Sequence, residues 1–194
     1  ISPPALFMNS NNRFGTLIVE NKTRETQEVS IKFRFGYPAS DSVGNMSMQF
    51  EDSSAEAQYS LNGWIKGFPR KFFLMPGAQQ IVRLTAQPPS DLSDGMYWSR
   101  IITSSQPQTK RIDTVRTGIT TQLNFVFEQI TTVLYAKGAL NTSLEITDPF
   151  VVEDSACVRL VWKTVKNGNA PYFGTVNVKV FDESGDVVDE SNET

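Results

Sequence analysis

Phe72-Phe73-Leu74-Met75-Pro76-Gly77-Ala78-Gln79-Gln80-Ile81-Val82-Arg83-Leu84 is the stretch from which the rest of the sequence is read. Two short apolar runs flank Met75-Pro76-Gly77-Ala78, where Pro76 pre-sets the backbone of the second turn position and Gly77 supplies the positive φ of the third. The stretch therefore reads as strand, tight turn, strand. Working outward, Val29-Ser30-Ile31-Lys32-Phe33-Arg34-Phe35 alternates apolar and polar residues strictly, as a half-buried antiparallel strand does. The same reading predicts strands over residues 15–20, 71–74, 80–84, 96–103, 123–127 and 133–135, separated by clusters of Pro, Gly, Asn and Ser. Short strands at this spacing describe a β-sandwich. Residues 91–95 read as a turn. The polar, Ser- and acid-rich residues 39–60 read as a loop with a turn of helix near residues 53–58. Residues 104–117, with Lys110, Arg111 and Arg116, read as a long, exposed, mobile connection between two edge strands.

From Gly138 the pattern restarts. Leu144-Glu145-Ile146, residues 157–165, an Asn167-Gly168-Asn169 turn, residues 174–181 and a hairpin turn at Glu183-Ser184-Gly185-Asp186 predict a second β domain. The expected division is residues 1–136 and 137–194. An immunoglobulin-like sandwich usually takes about 100 residues, so the second domain reads as shortened. The acidic residues Asp182, Glu183, Asp186, Asp189, Glu190 and Glu193 read as a solvated hairpin and a frayed end.

Composition narrows the function. The chain has 194 residues, 39% hydrophobic and 20% charged, as a globular protein has. Its 18 Lys+Arg against 21 Asp+Glu give a net charge of −3, so there is no overall positive field to draw in nucleic acid. There is no His and one Cys, Cys157. A His-based triad, a zinc-finger site and an intrachain disulfide cannot be built. No catalytic residue, metal ligand or cofactor is assigned, and the expectation is a non-enzyme. No apolar run approaches the ~20 residues of a membrane span, so membrane insertion is not expected. A first residue of Ile1 reads as a mature form after leader removal. The Asn-x-Ser/Thr triplets at Asn21, Asn45, Asn141 and Asn192 are near chance number in a chain rich in Asn, Ser and Thr.

Some clusters admit two readings. Trp64, Phe68, Pro69, Arg70 and Phe72 could stack on a sugar or a nucleic-acid base, or pack as a sandwich edge on its own loop. Arg83 reads as the partner of a carboxylate near the domain junction. Asp91, Asp94 and Gly95 read as turn chemistry rather than calcium ligation. Cys157 reads as a small buried apolar residue.

The order of these pieces carries a resemblance. A Pro-containing amino terminus precedes Ile18-Val19-Glu20-Asn21, then residues 73–84, then Asp94-Gly95-Met96-Tyr97-Trp98. Leu123-Asn124-Phe125-Val126-Phe127, Val133-Leu134-Tyr135-Ala136-Lys137-Gly138 and Asn167-Gly168-Asn169 follow. Over nearly the whole chain this resembles the PapD-like periplasmic pilus-assembly chaperones. The resemblance implies an all-β protein of two immunoglobulin-like β-sandwich domains in a boomerang arrangement. It also implies a periplasmic chaperone that binds incomplete immunoglobulin-like pilus or fimbrial subunits by donor-strand complementation, a form of β-augmentation. Delivery for surface assembly would bring in an outer-membrane usher. The donor residues would be Leu123, Phe125 and Phe127, apolar and on one face. The family holds the subunit's terminal carboxylate with an Arg near the first strand and a Lys at the end of the donor strand. The matching positions here are Ala5 and Thr132, both uncharged, which leaves the hydroxyls of Thr131 and Thr132 as candidate anchors. The alternative function is a non-catalytic structural or adhesive surface module of the same fold, its 123–127 strand buried at home.

Overall fold

Alternation buries one face of each strand. In the computed structural model, which describes residues 1–108, 125–153 and 158–193, those faces close a sandwich. The chain divides into two units, Ile1–Leu140 and Asn141–Thr194. The first unit begins with β1 (Ala5–Asn9), β2 (Phe14–Glu20) and β3 (Gln27–Arg34). A hairpin of β4 (Tyr37–Ser40) and β5 (Met46–Gln49) follows, then the helix α1 (Ser53–Tyr59) and β6 (Ile65–Phe68). It ends with β7 (Lys71–Leu74), β8 (Gln79–Ala86), β9 (Gly95–Pro107) and β10 (Phe127–Lys137). One sheet has the order β1-β10-β9-β3-β7 and the other β2-β8-β6. All their pairings are antiparallel except that of β1 with β10. Leu17 and Val82 belong to the smaller sheet, Val29, Ile31, Ile101, Val133 and Tyr135 to the larger, and all are buried in one core.

The 72–84 stretch forms a turn between sheets. Its first strand, β7, pairs with β3, whereas β8 pairs with β2 and β6. The turn is closed by the Ala78 amide donating to the Met75 carbonyl at 3.0 Å, with Gly77 at φ 72°. A buried side chain braces this corner. Asn21, 3% exposed at the end of β2, donates to the carbonyls of Glu25 and Leu74 at 2.8 Å each. Its own backbone exchanges hydrogen bonds with Gly77 and Ala78.

Several boundaries differ from the sequence reading. The turn of helix expected near residues 53–58 is α1, but the residues before it carry most of the β4–β5 hairpin rather than a loop, because their polar side chains serve as local caps. Asp41 accepts from the Val43 and Asn45 amides, Gly44 takes φ 83°, and Asp52 caps α1 by accepting from the Ala55 amide at 2.9 Å. Residues 104–107 are not part of a connection. They extend β9, which lies between β3 and β10 and is not an edge; residues 109–117 lie outside the described residues. Of the strand expected at 123–127, residues 123–124 lie outside the described residues, 125–126 are not in a strand, and only Phe127 belongs to one: β10 runs unbroken from Phe127 to Lys137 and takes in the strand expected at 133–135. The sequence reading did not place β1 or β6. The latter contains Gly67, and a Cβ there would come within 3.0 Å of both Leu84 and Phe33.

In the second unit, β11 (Thr142–Glu153) pairs antiparallel with β12 (Val158–Gly168), and β13 (Val176–Phe181) with β14 (Val187–Glu193). Gly185, at φ 87°, turns the second hairpin while Asp182 accepts from the Ser184 and Asp186 amides. The acidic end is a strand, not a frayed tail. Asn177 donates to Glu190 and Asn192 at 2.8 Å each, and Lys179 lies 3.7 Å from Glu190. Cys157 lies outside the described residues.

The two-way clusters also resolve. Trp64 is 9% exposed and packs edge-on against Tyr97 and Tyr135, so its ring has no free face for a sugar. Arg70 lies over the Phe33 ring at 5.4 Å. Arg83 stands on the outer face of the smaller sheet between Thr16 and Phe68, and no carboxylate among the described residues pairs with it. The expected ion pair is absent because alternation along β8 turns Val82 and Leu84 into the core and Arg83 to solvent. Asp94 instead accepts from the Ala139 amide at 3.1 Å, beside Gly138 at φ 61°.

Candidate partner-binding edge

β10 has a paired half and an open half. On one side it is bonded to β9 along its whole length, from Phe127 opposite Ser105 to Lys137 opposite Gly95. On the other side β1 covers only Thr132 to Ala136, starting at Ala5 opposite Thr132. The Thr132 amide donates to the Pro4 carbonyl at 3.2 Å, which shows that the backbone groups of Thr132 point toward the β1 side. Backbone groups alternate along a strand, so those of Ile130 and Glu128 point the same way. Among the described residues nothing pairs with them there. Among the described residues, 127–131 thus form an open edge ending against the start of β1.

The side chains alternate as well. Thr131, Val133 and Tyr135 face the core and are at most 1% exposed. Phe127 shares their parity but lies beyond the covered region and is 66% exposed, with Phe125 at 63% and Ile130 at 44%. Of the expected donor residues, then, Phe125 and Phe127 are exposed apolar side chains beside the open edge, and Leu123 lies outside the described residues. A shallow groove on the outer face of the larger sheet, lined in part by Ser30, Lys32, Ser104 and Glu128, adjoins this stretch. There Ser104 donates to Glu128 at 2.9 Å.

The expected anchor positions are brought together. Ala5, Thr132, Arg100 and Arg34 are consecutive cross-strand partners on β1, β10, β9 and β3, so they form one row across the outer face. The Thr131 side chain is buried on the opposite face. Thr132 is the hydroxyl turned outward. Sequence reasoning missed Arg100. Its Nε donates to the Gly36 carbonyl at 3.0 Å and its Nη1 donates to Thr132 Oγ1. Trp98 donates to the same Gly36 carbonyl at 3.1 Å. Desolvation lowers the Arg100 pKa below its ordinary value. No carboxylate among the described residues forms an ion pair with it. Its neighbour Arg34 lies over the Phe50 ring at 4.5 Å and 3.9 Å from Glu51. The signal was present in the sequence: even positions of β9 face outward, and Arg100 is the cation among them.

Among the described residues no group of three or more His, Cys, Asp or Glu could hold a metal ion, and no helix is long and apolar enough to cross a membrane.

No family model matches the sequence, and no curated protein matches it. Solved structures do share its fold. The YadV chaperone superposes with a TM-score of 0.51 at 11% identity, over 99% of this chain and 96% of that one. The E. coli chaperone DraB superposes with a TM-score of 0.51 at 10% identity, over 100% of this chain and 96% of that one. The fold is the PapD-like chaperone fold, all-β with two immunoglobulin-like β-sandwich domains.

Proposed function

We propose that this chain is a periplasmic chaperone that lends the amino-terminal part of β10 to incomplete immunoglobulin-like pilus or fimbrial subunits and delivers them for surface assembly, with an outer-membrane usher as the receiving partner. The observation that carries the reading is the open edge at residues 127–131 flanked by exposed Phe125 and Phe127. Unpaired strand edges with apolar side chains invite another strand, and folded proteins ordinarily blunt them. Here the edge is left available. A guest strand would pair with the backbone groups of Glu128 and Ile130, while Phe125 and Phe127 fill its apolar groove. An aromatic side chain buries 150–250 Å², so covering what these two now expose contributes about 2–4 kcal/mol each as an upper bound. Leu123 would extend the same face. In this reading residues 1–136 form the binding domain and residues 137–194 the second domain, and no catalysis is involved.

The structural-module alternative requires the donor side chains to be buried at home, and the exposure of Phe125 and Phe127 counts against it. The test is a pull-down from the native extracytoplasmic fraction, comparing the wild type with a Phe125→Asp, Phe127→Asp variant. Because both side chains are exposed, the variant should melt within a few degrees of the wild type. Placing two charges in an apolar groove costs several kcal/mol, so the variant should lose a small β-rich subunit that the wild type retains. Equal retention by both proteins, or retention of no such subunit by the wild type, would refute strand donation. Loss of folding in the variant would assign the strand to the protein's own core.

A further inference from the structure

Asp148 is held in a backbone conformation that its place in the sequence disfavours. Among the described residues it is the one non-glycine with positive φ, at 51°, and it stands directly before Pro149. A side chain makes the left-handed region costly, and the residue before a proline is further restricted to extended backbone, so the strain has two sources. The sequence dictates where it falls. Pro149 has no N–H to give to the ladder, and β11 bulges there: Thr147 pairs with Lys163 and Phe150 with Val161, which sets Asp148 and Pro149 together against Trp162. Both residues of the bulge are exposed to water. The residue opposite is uncharged, and the charged residues flanking the bulge are Glu145 and Glu153 on β11 and Arg159, Lys163 and Lys166 on β12.

An aspartyl side chain ordinarily cyclises with the backbone N–H that follows it. Pro149 has none, which leaves attack of the carboxyl on its own main-chain carbonyl. We propose that the bulge makes Asp148–Pro149 a self-cleaving bond, broken in mildly acidic water without a protease. An Asp148 carboxyl oxygen bonds to the Asp148 carbonyl carbon and closes a five-membered ring. The C–N bond to Pro149 breaks, and the carboxyl proton passes to the departing nitrogen, which leaves as a secondary amine. Water then opens the cyclic anhydride to the α- and β-carboxyls of Asp148, so one water is consumed and nothing is oxidised or reduced. Attack within a single residue needs no encounter, and breaking the bond releases strain that the strand pairings on either side hold in place. Thr142 to Thr147 keep their pairing with Lys163 to Gly168 after the cut, so the product is a nicked second unit, with the first unit and β10 whole on the larger fragment.

The test holds the full chain in mildly acidic buffer in which circular dichroism shows it folded, and reads its mass after denaturation. The same chain unfolded in urea and a synthetic peptide of residues 144–153 are run beside it. The folded chain should yield residues 1–148 and 149–194 as its first products, roughly fivefold or more faster than either control, the gain that relief of about 1 kcal/mol of strain provides. Asp148→Asn should yield neither fragment, and Pro149→Ala should slow the cut by replacing the tertiary amide. Cleavage of the folded chain no faster than that of the peptide or of the unfolded chain would overturn the proposal, as would fragments from Asp148→Asn at the wild-type rate. Should Asp148→Asn not fold, the comparison of folded chain, unfolded chain and peptide needs no variant and decides the outcome.

Discussion

Replacing Asn21 by alanine should unfold the first unit far more easily than its place in a sequence of polar residues suggests. Its side chain donates at 2.8 Å to the carbonyls of Glu25 and Leu74 and accepts from the amide and hydroxyl of Thr23 at 2.9 and 2.8 Å. The two donated bonds are each worth about 1 kcal/mol net. The Leu74 carbonyl lies at a buried site, and leaving it unpaired costs a further 1 kcal/mol or more. The Thr23 groups are exposed enough for water to replace the lost acceptor. The sum is about 3 kcal/mol, which for a chain of this size lowers the melting temperature by roughly 6–12 °C. Urea titrations followed by near-ultraviolet circular dichroism should show the midpoint falling, with Thr23→Ala as the comparison expected to cost under about 1 kcal/mol. Asn21→Asp retains the acceptors but turns a carboxylate toward two carbonyls. It should be at least as destabilised at neutral pH and should recover as the pH falls, because only the protonated acid can donate. An Asn21→Ala midpoint equal to that of Thr23→Ala would refute the idea that this residue braces the corner between the sheets.

Three further outcomes are expected. The Asp52 carboxyl is held below its ordinary pKa of 3.8, first by the Ala55 amide and then by the Tyr37 hydroxyl. A depressed folded-state pKa means that the cap's contribution is present above 3.8 and lost as the pH falls through the lower folded value. The Ala55 amide resonance should therefore titrate with a midpoint below 3.8, and one at or above that value would contradict the cap. Thr103 Oγ1 is buried with no hydrogen-bond partner among the described residues, so Thr103→Val should stabilise the protein by about 1 kcal/mol in thermal or urea unfolding, and a loss of stability would reveal a partner for the hydroxyl. Gly138 has φ 61°, and a Cβ there would lie about 2 Å from the Asp94 carboxylate, so Gly138→Ala should cost 1–3 kcal/mol. An Asp94→Ala, Gly138→Ala double variant should cost less than the sum of the single changes, because the clash is gone.

Local pattern determined what local physics controls. The alternation of residues 29–35 required a half-buried strand, and Pro76-Gly77 required a tight turn, since each depends on only a few adjoining residues. The absence of His removed whole classes of chemistry before any fold was drawn. The order of motifs pointed to the PapD-like fold even though no single motif was specific. What the chain could not express locally is which strand lies beside which. That β7 and β8 belong to different sheets, that β1 runs parallel to β10 and stops at Ala5, and that Phe127 and Val133 belong to one strand are consequences of pairing between residues far apart in sequence. Among the described residues the edge at 127–131 has no partner, since β1 pairs with β10 only from Thr132 onward. Phe125 and Phe127 were legible as an apolar face, but the same letters would serve a buried strand. Arg100 gained its place for the same reason: Thr132 and Ala5 are neighbours in one row with it only once β9, β10 and β1 have paired, and register across strands is set by tertiary contacts that no short stretch of sequence contains.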